Sequence, residues 1–299
     1  MISGGTALKR MVGRMGTKVF RAARVPTSLI VMGSATFMAS SVFAQSEQVG
    51  TSGPKPGGLN FVPAVTEIHE QNIAFHDFLL WIIIAISLFV LGLLIWVVVR
   101  YNEKANPTPS RTTHNLTIEI VWTVVPVLIL LAISLYSFPL LYKHEQSPEA
   151  DIVVKATGHQ WYWEYEYPDY NGISFVANML SDEEAAAKSE PRLLATDNRL
   201  VIPVGKTVKL QITASDVLHA WTVPAFGVKK DAVPGRLNEL WFNVKEEGVY
   251  YGQCSEICGI RHGFMPIAVE VMSEEAFDSW LQKAQVEFAA ADEIQVAAR

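Results

Sequence analysis

The chain has 299 residues, two of them cysteines, and a formal net charge of −6. The negative charge argues against a nucleic-acid partner and is compatible with a basic protein partner, and two cysteines exclude a disulfide-rich scaffold. Half of the residues are hydrophobic and only 18% are charged, a balance that predicts membrane-spanning segments.

The first 44 residues are predicted to be a signal peptide. Basic residues between Lys9 and Arg24 precede an apolar stretch from Leu29 to Phe43, which is followed by Ala44 in a small-x-small pattern. A first transmembrane helix is the alternative, disfavoured because Gly, Ser and Thr interrupt a run that is short for a span. The mature chain is then expected to begin near Gln45, with residues 45–77 as an exported N-terminal segment.

Two uncharged runs predict a transmembrane hairpin over residues 78–142. They extend from Phe78 to Val99 and from Ile120 to Tyr142, and each is long enough as a helix to cross the roughly 30 Å hydrocarbon core of a bilayer. A pair of buried helices in a soluble core is the less favoured alternative. A hairpin with few polar anchors is expected to dock on a larger membrane partner.

The connector between the runs, residues 100–119, is predicted to be cytoplasmic because basic residues concentrate in it. Both flanks of the hairpin then lie outside, in agreement with export of the N-terminus. Glu119 ends the connector at the cytoplasmic mouth of the second span. Its carboxylate is either an ordinary interfacial charge or an entry point for protons.

Residues 150–272 predict an all-β domain, because short alternating segments are separated by turn residues, as in a sandwich or barrel. These segments are Asp151–Thr157, Thr207–Thr213, Glu239–Val244, Gly248–Gly252 and Ile267–Val271. The acidic, Ala-rich stretch 181–191 is predicted to be an exposed excursion. Residues 273–299 predict a short C-terminal helix and a tail, with Ser273 as the N-cap.

Both cysteines lie in one short run together with an imidazole and a thioether, namely Cys254, Cys258, His262 and Met265. A second imidazole, His219, lies upstream on a predicted strand. Soft ligands of this mixture favour copper.

Several kinds of site compete for these residues. A disulfide between Cys254 and Cys258 is compatible with an oxidising compartment but leaves His262 and Met265 without a role. Zinc has no need for Met265, and a mononuclear blue copper leaves one thiolate spare. A dinuclear copper centre uses every ligand, so it is favoured, with the disulfide and the mononuclear metals as alternatives.

The motif Cys-Ser-Glu-Ile-Cys-Gly-x-x-His-x-x-Met over residues 254–265 resembles the dinuclear copper (CuA) loop of subunit II of haem-copper cytochrome c oxidases. Four further segments are similar to that family: Glu119–Pro126, Gly158–Trp163, Asp216–Pro224 and Asp231–Arg236. The resemblance covers roughly Asn60 to Leu281. The export signal resembles those of bacterial members rather than organelle-encoded ones.

The resemblance implies a cupredoxin-like domain, a Greek-key β-barrel or sandwich, carried on the membrane hairpin. It also implies two copper ions as the cofactor. Cys254 and Cys258 are expected to bridge the ions, His219 and His262 each to bind one of them, and Met265 to be the weak ligand. Glu256 is expected to contribute its backbone carbonyl, and its carboxylate to help bind a magnesium ion shared with subunit I.

The aromatic run Trp161–Tyr167 also matches the family. Alternation along a strand places Trp161 and Trp163 on one face and Tyr162 on the other, and an ordinary core strand is the simplest interpretation of this pattern. By resemblance, however, Trp161 is the electron entry point beneath docked cytochrome c.

Three carboxylates match family positions credited with docking the basic haem edge of cytochrome c: Glu166, Asp197 and Asp216. The alternative for each of them is an ordinary solvated surface charge. Glu119 matches the candidate entrance of a proton channel that subunit I completes.

The function that the resemblance implies is that of the electron-entry subunit of a bacterial respiratory terminal oxidase. Such a subunit takes electrons singly from cytochrome c and passes them to the haem of subunit I. There oxygen is reduced to water with proton pumping. Expected partners are subunit I, subunit III, cytochrome c and membrane lipid, in the inner membrane with the copper domain and N-terminus periplasmic. The alternatives are a quinol-oxidising relative without copper, a nitrous oxide reductase, and a disulfide-bearing anchor. Intact copper ligands disfavour the first, and the hairpin and the chain length disfavour the second.

Overall fold

A computed structural model describes residues 51–53, 55 and 57–297. The predicted signal peptide, residues 1–44, lies outside the described residues. Two long helices come first, α1 (Glu67–Arg100) and α2 (Leu116–Glu145), and both are long and apolar enough to cross a membrane. They enclose the two predicted spans.

Helix α1 begins at Glu67, well before the apolar run at Phe78, because a polar first turn extends it. The side-chain oxygen of Thr66 caps this turn and accepts a hydrogen bond from the backbone N–H of His69 at 3.1 Å. Asn115 caps α2 in the same way, accepting from the N–H of Ile118 at 3.2 Å. Such caps satisfy helix-end donors that have no partner within the helix.

A β domain follows the hairpin and is built from short strands. The strands are β1 (Thr51–Ser52), β2 (Ile152–His159), β3 (Tyr162–Tyr167), β4 (Ile173–Ala177), β5 (Leu200–Pro203), β6 (Thr207–Ala214), β7 (His219–Val223), β8 (Val228–Ala232), β9 (Asn238–Asn243), β10 (Gly248–Gln253) and β11 (Pro266–Met272). All five segments predicted as strands are present, with boundaries shifted by one or two residues.

The strands form two main sheets and a hairpin. One sheet has the order β4-β3-β2-β6-β9, the other β1-β10-β11-β5, and β7 pairs with β8. Burial alternates along β2, β3 and β6, as in strands that have one face on a core. Trp163, Trp221 and Phe242 are fully buried in that core. The predicted arrangement, a membrane hairpin followed by a β-sandwich and a C-terminal helix, is confirmed.

Two further helices decorate the domain. Helix α3 (Asp182–Ala187) lies in the predicted acidic excursion and begins with a capping box between Ser181 and Glu184. Helix α4 (Glu274–Ala297) is capped by the hydroxyl of Ser273, as predicted, but is longer than the short helix expected. Its buried face packs on the sandwich through Phe277.

The hairpin joins the β domain through one buried and one partly buried hydrogen bond. The Thr66 hydroxyl donates to the carbonyl of Phe226 at 2.7 Å, and the Trp241 indole donates to the carbonyl of Lys143 at 3.0 Å. Thr66 also forms a β-bridge with Val244. Each helix of the hairpin is therefore attached to the β domain.

We predict that Thr66→Val lowers the stability of the chain by about 1–3 kcal/mol, because it removes a helix cap and leaves a buried carbonyl unpaired. The midpoint of thermal unfolding of the full chain in detergent measures the loss. Thr66→Ser keeps both hydrogen bonds and serves as the control. Equal midpoints for the valine and serine variants would contradict the prediction.

Candidate metal centre

The two cysteines lie on the loop between β10 and β11, and the ends of this loop are fixed. The backbone N–H of Cys254 donates to the carbonyl of Met265 at 2.9 Å, so the first and last predicted ligands of the loop are adjacent. The N–H of Ser255 donates to the carbonyl of Ala220 at 3.0 Å, which ties the loop to β7. Because β7 begins at His219, this contact brings the distant histidine to the cysteines.

The sulfur atoms of the two cysteines lie close to each other and to ring nitrogens of His219 and His262. Cys254 Sγ lies 3.8 Å from Cys258 Sγ and 3.8 Å from His219 Nδ1, and Cys258 Sγ lies 3.6 Å from His262 Nδ1. The carbonyl oxygen of Glu256 lies 3.4 Å from Cys254 Sγ. The two thiols are free, so the disulfide alternative does not describe this arrangement.

The donor set is withdrawn from water. His219 is fully buried, Met265 is 1% exposed, and each cysteine is 3% exposed, whereas His262 is half-buried at the rim. Burial of polar donors is costly unless they are paired or bind a metal. The ligand atoms of His219, Cys254 and Cys258 lie within 4.8 Å of one another, so the set fits a soft metal such as copper.

The two thiols have different acidities. Burial opposes ionisation of Cys254, but hydrogen bonds with His219 and with the backbone at Glu256 outweigh it and lower its pKa. For Cys258, burial and then the neighbouring negative charge of Cys254 both raise the pKa. The negative charge of one thiolate therefore opposes ionisation of the other thiol, and a cation bound to both sulfurs would favour their deprotonated forms.

Asp216 lies behind His219, away from the sulfurs. Its Oδ1 accepts hydrogen bonds from His219 Nε2 at 2.9 Å and from the N–H of Val217 at 2.6 Å, and its Oδ2 accepts from the N–H of Gln160 at 2.7 Å. Burial opposes its ionisation, but these hydrogen bonds lower the pKa of Asp216. An ionised carboxylate only accepts, so Nε2 of His219 carries a proton in this hydrogen bond, and in the neutral ring Nδ1 is then the nitrogen whose lone pair can bind a metal on the cysteine side.

Sequence reasoning named Asp216 as a docking residue and missed this contact. The available signal was the spacing Asp-x-x-His, in which a carboxylate precedes a candidate ligand by three residues. Its meaning depends on how the chain turns between β6 and β7, which the sequence alone does not specify.

Two tryptophans border the site. Trp161 is half-buried, and a β-carbon placed on Gly259 would lie 3.1 Å from its ring, so it packs against the loop that carries the two cysteines. The side-chain amide of Gln160 donates to the carbonyl of Cys258 at 2.7 Å and fixes the same contact from the adjacent residue. Trp163 is fully buried, and its ring lies edge-on to His219 with centroids 6.0 Å apart.

The other predicted carboxylates lie apart from the ligands, each with a local partner. Glu166 forms an ion pair with Lys155 at 2.8 Å. Asp197 accepts hydrogen bonds from the backbone and side chain of Asn178. In the first turn of α2, Glu119 accepts a hydrogen bond from the N–H of Asn115 at 3.1 Å.

Comparison with known proteins finds relatives of both the helical hairpin and the β domain. The family model described as "Cytochrome C oxidase subunit II, transmembrane domain" matches residues 54–140, and that described as "Cytochrome C oxidase subunit II, periplasmic domain" matches residues 152–272. A crystal structure of the periplasmic domain of subunit II of cytochrome oxidase of Bradyrhizobium japonicum is similar with 50% sequence identity and a TM-score of 0.45, covering 48% of this chain and 99% of that one.

Two relatives match over both parts of the chain. "Probable cytochrome c oxidase subunit 2" of Rickettsia bellii is 53% identical over 230 residues, covering 77% of this chain and 85% of the relative. "Cytochrome c oxidase subunit 2" of Cereibacter sphaeroides is 48% identical over 265 residues, covering 83% of this chain and 87% of the relative. The chain therefore belongs to the cytochrome c oxidase subunit II family, and its cluster of His219, Cys254, Cys258 and Met265 is consistent with a CuA site.

Proposed function

We propose that the chain is the electron-entry subunit of a respiratory terminal oxidase in the bacterial inner membrane. The observation that carries the proposal is the convergence of two thiols and two imidazoles, with the buried Met265 joined to Cys254 by a backbone hydrogen bond, in a chain of this family. It takes electrons singly from cytochrome c and passes them to the haem of subunit I, where oxygen is reduced to water with proton pumping. Subunits I and III and membrane lipid are its proposed partners, with the copper domain and N-terminus in the periplasm.

His219, Cys254, Cys258, His262 and Met265, with the backbone carbonyl of Glu256, are the proposed ligands of two copper ions. When bound, such a centre supplies one-electron transfer with little rearrangement, because charge is spread over two ions and two polarisable sulfurs. The protein holds its donors in place through the closed ends of the loop, and burial excludes water from them. Preorganised donors of this kind reduce the movement that accompanies each transfer.

Trp161 is the proposed entrance for electrons. Its contact with the loop at Gly259, next to Cys258, and its partial exposure support this role. An aromatic ring that touches both the surface and the ligand loop offers a short route between a docked donor and the metal.

We expect Trp161→Phe to slow electron transfer from reduced cytochrome c by at least about tenfold, equivalent to about 1.4 kcal/mol of activation free energy, with copper content unchanged. Stopped-flow mixing of the intact oxidase with reduced cytochrome c measures the rate. Trp280→Phe, on α4, is the matched control and is expected to keep the rate. If both variants transfer electrons at the wild-type rate, Trp161 is not the entrance.

Glu166, Asp197 and Asp216 are proposed to attract the basic face of cytochrome c. Glu166 is the most informative of them, because its ion pair with Lys155 leaves both side chains partly exposed. Charges of this kind act mainly on the association rate and are screened by salt.

Glu166→Gln is expected to slow capture of cytochrome c severalfold at low ionic strength, whereas Lys155→Gln, which removes the neutralising partner, should accelerate it. The association rates of both variants and of the wild type, each in the intact oxidase, are measured at several salt concentrations. The differences between variants and wild type should vanish at high salt. Rates that change in the same direction in both variants would rule out electrostatic steering by Glu166.

Two finer roles complete the proposal. Glu119, in the first turn of α2, is proposed as the entrance of a proton channel that subunit I completes, and its hydrogen bond to the backbone of Asn115 supports a fixed carboxylate at that end of the helix. The carboxylate of Glu256 is proposed to help bind a magnesium ion shared with subunit I. Its partial exposure beside the copper ligands supports this role.

A further inference from the structure

The residues of β2 that face the core become smaller towards the metal centre. In chain order they are Ile152, Val154, Ala156 and Gly158, all of them buried. A glycine inside a strand usually marks a place where another group approaches the backbone closely. The core face of β2 therefore leaves room at Gly158.

The imidazole of His219 fills that room. A β-carbon placed on Gly158 would lie 2.9 Å from Cδ2, 3.0 Å from Cγ and 3.1 Å from Cβ of His219. The distance of 2.9 Å is shorter than packed carbon atoms allow, the other two are tighter than ordinary van der Waals contact, and two of the three atoms are at the root of the side chain. A flexible tip could move aside, but the root of the ring can move only with its backbone or by a change of rotamer.

The ring has little freedom to make that movement. In the sheet, Gly158 pairs with Trp163 on β3 and with Ala214 on β6, and the Trp163 ring lies edge-on to the imidazole. Asp216 holds Nε2 at 2.9 Å, and His219 pairs with Ala232 on β8. Contacts on several sides therefore determine the distance of 3.8 Å between His219 Nδ1 and Cys254 Sγ.

We propose that Gly158 is a positioning residue for the copper ligand His219. Its missing side chain sets how deeply the imidazole sits against β2 and hence where Nδ1 points. Two consequences follow and are measured separately. The packing consequence, that a side chain at position 158 clashes with His219, does not depend on the proposed function. The copper consequence, that such a clash alters copper binding, rests on the proposed function.

The packing consequence is tested on the metal-free full chain in detergent by a double-mutant cycle. Overpacking by one methyl group in Gly158→Ala is expected to lower the midpoint of thermal unfolding by about 2–10 °C. In the His219→Ala background the contacts with Cγ and Cδ2 are absent and only the contact with Cβ at 3.1 Å remains, so the same substitution should lower the midpoint clearly less. A penalty of equal size in both backgrounds, or a double variant that fails to fold, overturns the proposal.

The copper consequence is tested on the copper-loaded full chain. Gly158→Ala is expected to change the electron paramagnetic resonance spectrum and to raise the copper dissociation constant by about tenfold or more, equivalent to about 1.4 kcal/mol. Ala156→Val, which overpacks the same face of β2 one inward position away, is the matched control. It should lower the unfolding midpoint in both histidine backgrounds while leaving the copper spectrum unchanged.

The readouts separate the two claims. If the cycle shows coupling between Gly158 and His219 but no variant binds copper, the proposed function fails and the steric inference stands. If copper binds and Gly158→Ala leaves its spectrum unchanged, or Ala156→Val changes it equally, Gly158 does not position the ligand.

Discussion

Both thiols of the chain are buried at one end of a β-sandwich, where imidazole nitrogens and a backbone carbonyl face them at 3.4–3.8 Å. Leaving such donors in a core without a cation is costly, since burial disfavours unpaired charge. The surrounding architecture serves this constraint. The backbone hydrogen bond between Cys254 and Met265 closes the loop. The backbone hydrogen bond between Ser255 and Ala220 brings β7 and its histidine against the loop.

The same end of the domain connects the ligands to the surface. Gln160 donates its backbone N–H to Asp216 and its side-chain amide to the carbonyl of Cys258. One residue therefore links the support of His219 to the cysteine loop, and Trp161 follows it directly. Contact between a half-buried ring and the ligand loop is what the proposed relay of single electrons requires. The hairpin, attached through Thr66 and Trp241, holds this relay beside the membrane.

Much of this could be predicted from the sequence because it depends on local pattern. Uncharged runs predicted both spans, alternation predicted β2 and β6, and the spacing within residues 254–265 predicted the ligand loop. The start of α1 was not predictable, since the position of its N-cap Thr66 depends on a hydrogen bond to the carbonyl of Phe226, which is distant in sequence. Asp216 behind His219 and the absence of a side chain at Gly158 also depend on strand register and on residues far apart in the chain. The docking carboxylates, Glu119 and the magnesium ligand remain predictions.

We propose that two copper ions share one set of largely buried ligands. The electron paramagnetic resonance spectrum of the copper-loaded full chain in detergent, in its one-electron mixed-valence state, tests it most directly. We expect hyperfine structure from two equivalent copper nuclei that share one unpaired electron. A pattern from a single isolated copper, or a metal-free chain with Cys254 and Cys258 oxidised to a disulfide, would contradict it.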